Sequence, residues 1–134
     1  MKGQLTGMTG VYLVAAKLSR RGFITSPTSR SAQGADLLVT TADCSSSYVV
    51  QVKTNAKTFN FWLMSSKNMS IHSKTFIYAL VNLRKDRTEF FIVPSRIVAE
   101  NLKVSEPSKS RKSTWYSFSI EYAKPYKDKW EIFK

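Results

Sequence analysis

An acid, an amide and a lysine stand at spacings that permit phosphodiester chemistry. Asp36 precedes the apolar run Leu37-Leu38-Val39, and Gln51 and Lys53 follow the run Tyr48-Val49-Val50. The polar residues 41–47 between the runs read as the turn of an antiparallel hairpin. Side chains alternate faces along a strand, so Asp36, Leu38 and Thr40 share one face of the first strand and Val49, Gln51 and Lys53 share one face of the second. With the turn centred near Cys44, the register sets Asp36 opposite Gln51 or Lys53. A one-residue slip, opposite Val52, breaks the convergence. One carboxylate, one amide oxygen and a nearby backbone carbonyl suit a hard cation such as Mg²⁺ (or Mn²⁺), which keeps several waters. A lysine beside such a cation can orient or deprotonate a water, or stabilise charge on a phosphate. The plain alternative is a hairpin whose polar residues lie on a solvated face.

Charge favours the first reading. Twenty-one Lys and Arg against nine acids give a net charge of +12. Such an excess attracts polyanions through phosphate contacts. Residues 1–35 contain Lys2, Lys17, Arg20, Arg21 and Arg30 but no acid, so Asp36 is the first carboxylate of the chain. An isolated acid in a positive field reads as a placed ligand. The 134 residues suit a single domain over 1–134, and 43% hydrophobic content argues against disorder. No apolar run reaches membrane-spanning length, so no membrane partner is expected. The single cysteine, Cys44, precludes an intramolecular disulfide and reads as a reduced turn thiol, which points to the cytoplasm. No P-loop or dinucleotide fingerprint occurs, so no nucleotide cofactor is expected. His72 has no partner at zinc spacing, and Ser45-Ser46-Ser47 is turn chemistry without a hydrolase elbow.

The elements that must position these residues follow from periodicity. Thr6 to Arg21 reads as a helix with an apolar face of Leu5, Met8, Val11, Tyr12, Val14, Ala15, Ala16 and Leu18. Leu13 falls off that face, and Gly22 is the stop. Phe23-Ile24-Thr25 reads as a strand, followed by a small-residue loop to Asp36. Residues 59–64 are extended, and residues 65–74 are polar and ambiguous. Phe76 to Leu83 is the clearest buried strand, and Glu89 to Val93 pairs back. A helix over Arg96 to Leu102 opens at Pro94-Ser95. Residues 103–113 are either a mobile DNA-contacting arm or a solvated loop. Thr114 to Ile120 alternates as a late strand, and Glu121 to Lys134 closes the chain as a helix carrying Tyr126 and Trp130. Trp62, Trp115 and Trp130 read as core residues before base-stacking platforms.

This order resembles the PD-(D/E)XK nuclease superfamily, the restriction-endonuclease-like fold, and within it small Holliday-junction-resolvase-like members. The likeness rests on Gly10-Val11-Tyr12-Leu13-Val14-Ala15-Ala16-Lys17-Leu18-Ser19-Arg20-Arg21-Gly22-Phe23, Gly34-Ala35-Asp36-Leu37-Leu38-Val39, Gln51-Val52-Lys53-Thr54 and Phe91-Ile92-Val93-Pro94-Ser95. It implies a three-layer α/β/α fold around a central mixed β-sheet. It implies Asp36, Gln51 and Lys53 as catalytic residues, with Gln51 replacing the usual second acid, and Asp36, Gln51 and the Val52 carbonyl as metal ligands. DNA contacts are expected at Lys17, Arg20, Arg21, Arg30 and Lys57, and a homodimer is an expected assembly. Many relatives carry a Glu just after the glycine matching Gly10; here Val11 stands there, within the apolar face. The leading expectation is a metal-dependent endodeoxyribonuclease, structure-selective or nonspecific. The alternative is a catalytically weak or inactive DNA-binding module with a nuclease fold, and a third is an RNA-processing or toxin-type nuclease.

Overall fold

A computed structural model describes residues 3–29, 34–57 and 59–134. Helix α1 spans Gly3–Arg20. It ends where Gly22 takes φ +95°, with Gly22 N–H donating to Ser19 O (3.0 Å) and Phe23 N–H to Leu18 O (3.1 Å). This paired closure satisfies the last helix carbonyls and requires the left-handed residue that glycine supplies. Strands β1 (Ile24–Pro27), β2 (Leu37–Thr40), β3 (Ser47–Asn55), β5 (Phe76–Leu83) and β6 (Thr88–Pro94) form one sheet in the order β1-β2-β3-β5-β6. Only β3 and β5 run parallel, so the central sheet is mixed. Strands β4 (Phe61–Met64), β7 (Lys103–Ser105) and β8 (Trp115–Ser119) form a second sheet in the order β4-β8-β7.

The two faces of the central sheet bury different partners. Val50 and Val52 of β3 join Val11, Val14 and Leu18 of α1 on one face, with Trp130 and Phe133 from the C-terminal segment. Tyr78 and Leu80 of β5 join Trp62 of β4, Phe118 of β8, Val98 of α2 (Ser95–Glu100) and Ala123 of α3 (Ile120–Ala123) on the other. The mixed α/β architecture expected from the sequence is therefore present. The second flanking layer, however, is built from a small sheet as well as helices. Its strands are short, so their pairing leaves little trace in local pattern.

Three expectations are corrected. The buried face of α1 is Thr6, Gly10, Val11, Val14 and Leu18; Leu5 and Tyr12 are exposed, and Leu13 packs against the core. The cause is Gly10. A Cβ there would stand 1.8 Å from Thr54 Oγ1 of β3, so the helix backbone lies directly on the strand. A glycine carries no apolar signal, and the predicted face was centred away from it. Residues 103–113 are ordered in part by β7, which pairs with β8, and by Arg111, whose guanidinium donates to the carbonyls of Ser105, Glu106 and Ser113. The closing segment is no single helix: Pro125 follows α3, and Asp128 takes φ +54°. Its N–H donates to Phe90 O at 2.9 Å, and Trp130 and Phe133 then enter the core.

That tail is also held by charge. Glu89, 8% exposed on β6, accepts from Arg84 and from Lys127 Nζ (3.4 Å). Burial pushes its carboxyl up, but the Arg84 hydrogen bond and the Arg84 and Lys127 charges outweigh it and hold it below its ordinary value. A depressed carboxylate contributes stability above the unfolded value, lost as pH falls through the folded one. Glu89→Gln is expected to cost about 1.5–3 kcal/mol at neutral pH and to flatten the acid limb of stability in urea melts. Gly10→Ala is expected to cost about 1–3 kcal/mol, part of it recovered by Thr54→Ala; an unchanged urea midpoint in Gly10→Ala would refute the close approach.

Candidate active site

The hairpin register sets Leu37 against Val50 and Thr40 against Ser47. Continued one residue, it puts Asp36 opposite Gln51, the first of the two registers expected. The ladder ends there because Asp36 takes over its bonding. Its N–H donates to Val50 O (2.9 Å), and its carboxylate Oδ2 accepts from Val52 N–H (2.7 Å). The turn itself is tied by Asp43, whose Oδ1 accepts from Ser45 N–H (3.0 Å), Ser45 Oγ (2.7 Å) and Thr41 Oγ1 (2.8 Å). These bonds draw the exposed Asp43 carboxyl down to about 2. Cys44 sits in the turn at φ +63°, exposed and unpaired in any disulfide.

Beyond Val50, the β2-facing edge of β3 is open, and the Asp36 carboxylate stands on it. Strand geometry sends the Val52 carbonyl toward the same edge as its N–H. Gln51 and Lys53 alternate with Val50 and Val52, so they face away from α1, on the side of Tyr78 and Leu80. Asp36, Gln51, Val52 and Lys53 are thus together. Burial pushes the Asp36 carboxyl up, opposed by the Val52 N–H and the Lys53 charge. Burial pushes the Lys53 ammonium down, opposed by Asp36. Each charged form is costly and each is supported by the other.

Asn68, Ser65 and Tyr78 complete the surroundings, and sequence reasoning missed all three. Asn68 lies in a 3₁₀ turn (Ser66–Met69), 3% exposed. The Ser65 N–H can only donate, so the atom it meets at 2.7 Å is Asn68 Oδ1. Asn68 Nδ2 must then donate, to Gln51 Oε1 (3.1 Å) and Tyr78 OH (2.6 Å). A backbone donor thereby determines which end of the Gln51 amide turns toward Asn68. The oxygen keeps a second lone pair. Gln51 also borders a recess of about 350 Å³ with Gly34, Ser65, Lys67, Ile71 and Phe76. No spacing rule marks a buried asparagine inside a polar segment; only the neighbouring strand explains it.

The remaining expected residues lie elsewhere. Lys17, Arg20 and Arg21 surround a recess with Asp128 and Trp130, on the α1 side of the sheet and away from Gln51 and Lys53. Lys57 is exposed just beyond β3, and Arg30 lies outside the described residues. Val11 is 7% exposed in the α1-side core, as its apolar context predicted. Among the described residues no group of three or more His, Cys, Asp or Glu side chains is placed to hold a metal. Among the described residues no helix is long and apolar enough to cross a membrane.

No protein-family model matches the sequence, and no curated protein is detectably similar to it. The fold is similar to that of Archaeoglobus fulgidus Hjc, a Holliday junction resolvase from an archaeal hyperthermophile. The TM-score is 0.58 at 11% identity, over 89% of this chain and 88% of that one. The class thus defined is the mixed α/β fold of that nuclease.

Charged Asp36 and Lys53 work against folding at neutral pH. A raised carboxyl contributes stability at low pH that is lost as pH rises through the folded value. A depressed ammonium contributes at high pH and loses it as pH falls through the folded value. Replacing both charges keeps the acceptor for Val52 N–H and removes both burial costs. The double variant Asp36→Asn, Lys53→Met is expected to melt a few degrees above the wild type at pH 7; a lower midpoint would contradict this electrostatic assignment.

Proposed function

We propose that the protein is a metal-dependent endodeoxyribonuclease of PD-(D/E)XK type that acts on branched DNA. The observation carrying this reading is the position of Asp36: its carboxylate caps the open edge of β3 and faces the half-buried Lys53. The donors available there are the Asp36 carboxylate, the second lone pair of Gln51 Oε1 and the Val52 carbonyl. All are hard oxygens, which fits Mg²⁺ or Mn²⁺. When bound, such an ion polarises a phosphate and lowers the pKa of a bound water. The single carboxylate leaves a site of low charge, so substrate phosphate would complete the shell. Asp36 binds and orients; burial raises its carboxyl, opposed by the Val52 N–H and the Lys53 charge. Lys53, whose ammonium is disfavoured by burial, takes a proton from the attacking water or holds charge on the phosphate. Asn68 keeps the Gln51 oxygen oriented. Hjc, of the same fold, is a Holliday junction resolvase, which supports four-way junctions as the first substrate to test.

Val11 favours a second reading. Its burial leaves the helix without the acid that many PD-(D/E)XK nucleases carry there, which supports a DNA-binding module of low or absent turnover. In both readings the partner is DNA, and a homodimer would present two sites to one junction.

Asp36→Asn is expected to abolish cleavage and weaken metal binding. Lys53→Ala is expected to lower turnover by about 10²–10⁴-fold while DNA binding, followed by fluorescence anisotropy, is retained. Binding without turnover in the wild type, and no effect of Lys53→Ala, would establish the binding-module reading. Affinity is expected to fall with salt at a log–log slope of roughly −0.9 per neutralised phosphate. Charge reversal at Arg20 and Arg21 tests whether the α1-side recess contributes to that slope.

A further inference from the structure

The β4-β8-β7 sheet turns Trp62 and Phe118 into the core and leaves its other face open. Register puts Phe61 beside Ser119, Leu63 beside Ser117, Lys103 beside Ser117 and Ser105 beside Trp115. Together they line an open groove of about 330 Å³. Its floor is Ser117 and Ser119 of the central strand β8, with Trp115 at one end. One side is Phe61 and Leu63 of β4; the other is Lys103 and Ser105 of β7. Leu63 and Trp115 are 50% and 44% exposed.

Trp115 is held in place. Its ring lies 4.5 Å below the Arg111 guanidinium, and its Nε1–H donates to Ser113 Oγ at 3.2 Å. Arg111 is in turn fixed by three backbone carbonyls. Phe61 is flanked by Phe59, ring centroids 5.7 Å apart. Two rings of constrained orientation therefore border a polar floor, with a lysine on one wall and a guanidinium beside it.

The occupant follows from this chemistry. Lys103 and the Arg111 guanidinium make the groove positive, and its lining holds no acid, which suits a polyanion. A strand with flat bases and a phosphate backbone satisfies both the rings and the cations. Leu63 and Phe61 offer the apolar contact that a thymine methyl group takes. We propose that this groove binds unpaired bases of single-stranded DNA, which stack on Phe61 and Trp115 while Lys103 and Arg111 meet the backbone. The site is separate from Asp36 and Lys53 and stands whether or not the chain cleaves DNA.

The tryptophans make the test direct. Trp62 and Trp130 are 1% and 6% exposed against 44% for Trp115; Trp130 borders the Lys17, Arg20 and Arg21 recess, so the Trp115→Leu variant separates a signal there from one in the groove. Titration with a twelve-nucleotide oligo-dT is expected to change Trp emission saturably, and Trp115→Leu is expected to abolish that change. A blunt duplex of the same length should leave the emission unaltered. By anisotropy of labelled oligo-dT, Phe61→Ala and Trp115→Leu should each weaken binding about five- to 150-fold. Lys103→Gln should reduce the salt slope by about 0.7. Binding of oligo-dT with no change in Trp emission would overturn the proposal. So would tighter binding of oligo-rU, or a dimer that Leu63→Glu dissociates and oligo-dT does not compete.

Discussion

The hydrogen bond from Val52 N–H to the Asp36 carboxylate is the contact on which the arrangement turns. It forms where β2 stops covering β3, and it replaces a main-chain acceptor with a side chain. A sheet edge left open would be a liability to pairing with other chains. Here the Asp36 carboxyl occupies it, and the same group interacts by charge with Lys53. Structural closure and the proposed chemistry therefore fall on one carboxylate. This explains why the site is electrostatically expensive: the fold gains an edge cap but must keep two half-buried charges.

Everything around that bond serves to keep β3 straight and the edge accessible. Gly10 lets α1 press on Thr54 from one side. Asn68 reaches Gln51 from the other, using a bond from Ser65 to orient its own amide. β5 supplies the parallel partner from Val49 to Asn55. The C-terminal segment, tied at Lys127 to Glu89 and at Asp128 to Phe90, covers the α1-side core. The second sheet covers the opposite core and keeps its own outer face free. Its inner side is devoted to packing, and its outer face is the one proposed to meet nucleic acid.

Much of the site was legible in the residues themselves. The hairpin announced itself by two apolar runs and a polar turn, but a centre near Cys44 left Gln51 and Lys53 both open as partners of Asp36; the pairing of Leu37 with Val50 selects Gln51. The β5 strand was unmistakable because it is buried on both faces and reads as a continuous apolar run. What stayed hidden was hidden for physical reasons. Gly10 packs by the absence of a side chain, so the hydrophobic pattern pointed to Leu5 and Tyr12. Asn68 is buried because it is fully bonded, and composition alone makes such a residue look solvated. The four-residue β4 of the second sheet finds its partner β8 far away in sequence, and Arg111 organises a loop that charge left open between a mobile arm and a solvated loop. Placing Lys17, Arg20 and Arg21 depended on which sheet face α1 occupies, which no local pattern decides.

The most direct measurement is a single-turnover assay with purified wild-type protein in excess over a labelled four-way junction, with Mg²⁺, with Mn²⁺ and with chelator. The account predicts cleavage with a divalent cation and none with chelator, and faster cleavage of the junction than of a linear duplex. A protein that binds the junction fully yet leaves every strand intact with either cation would contradict it.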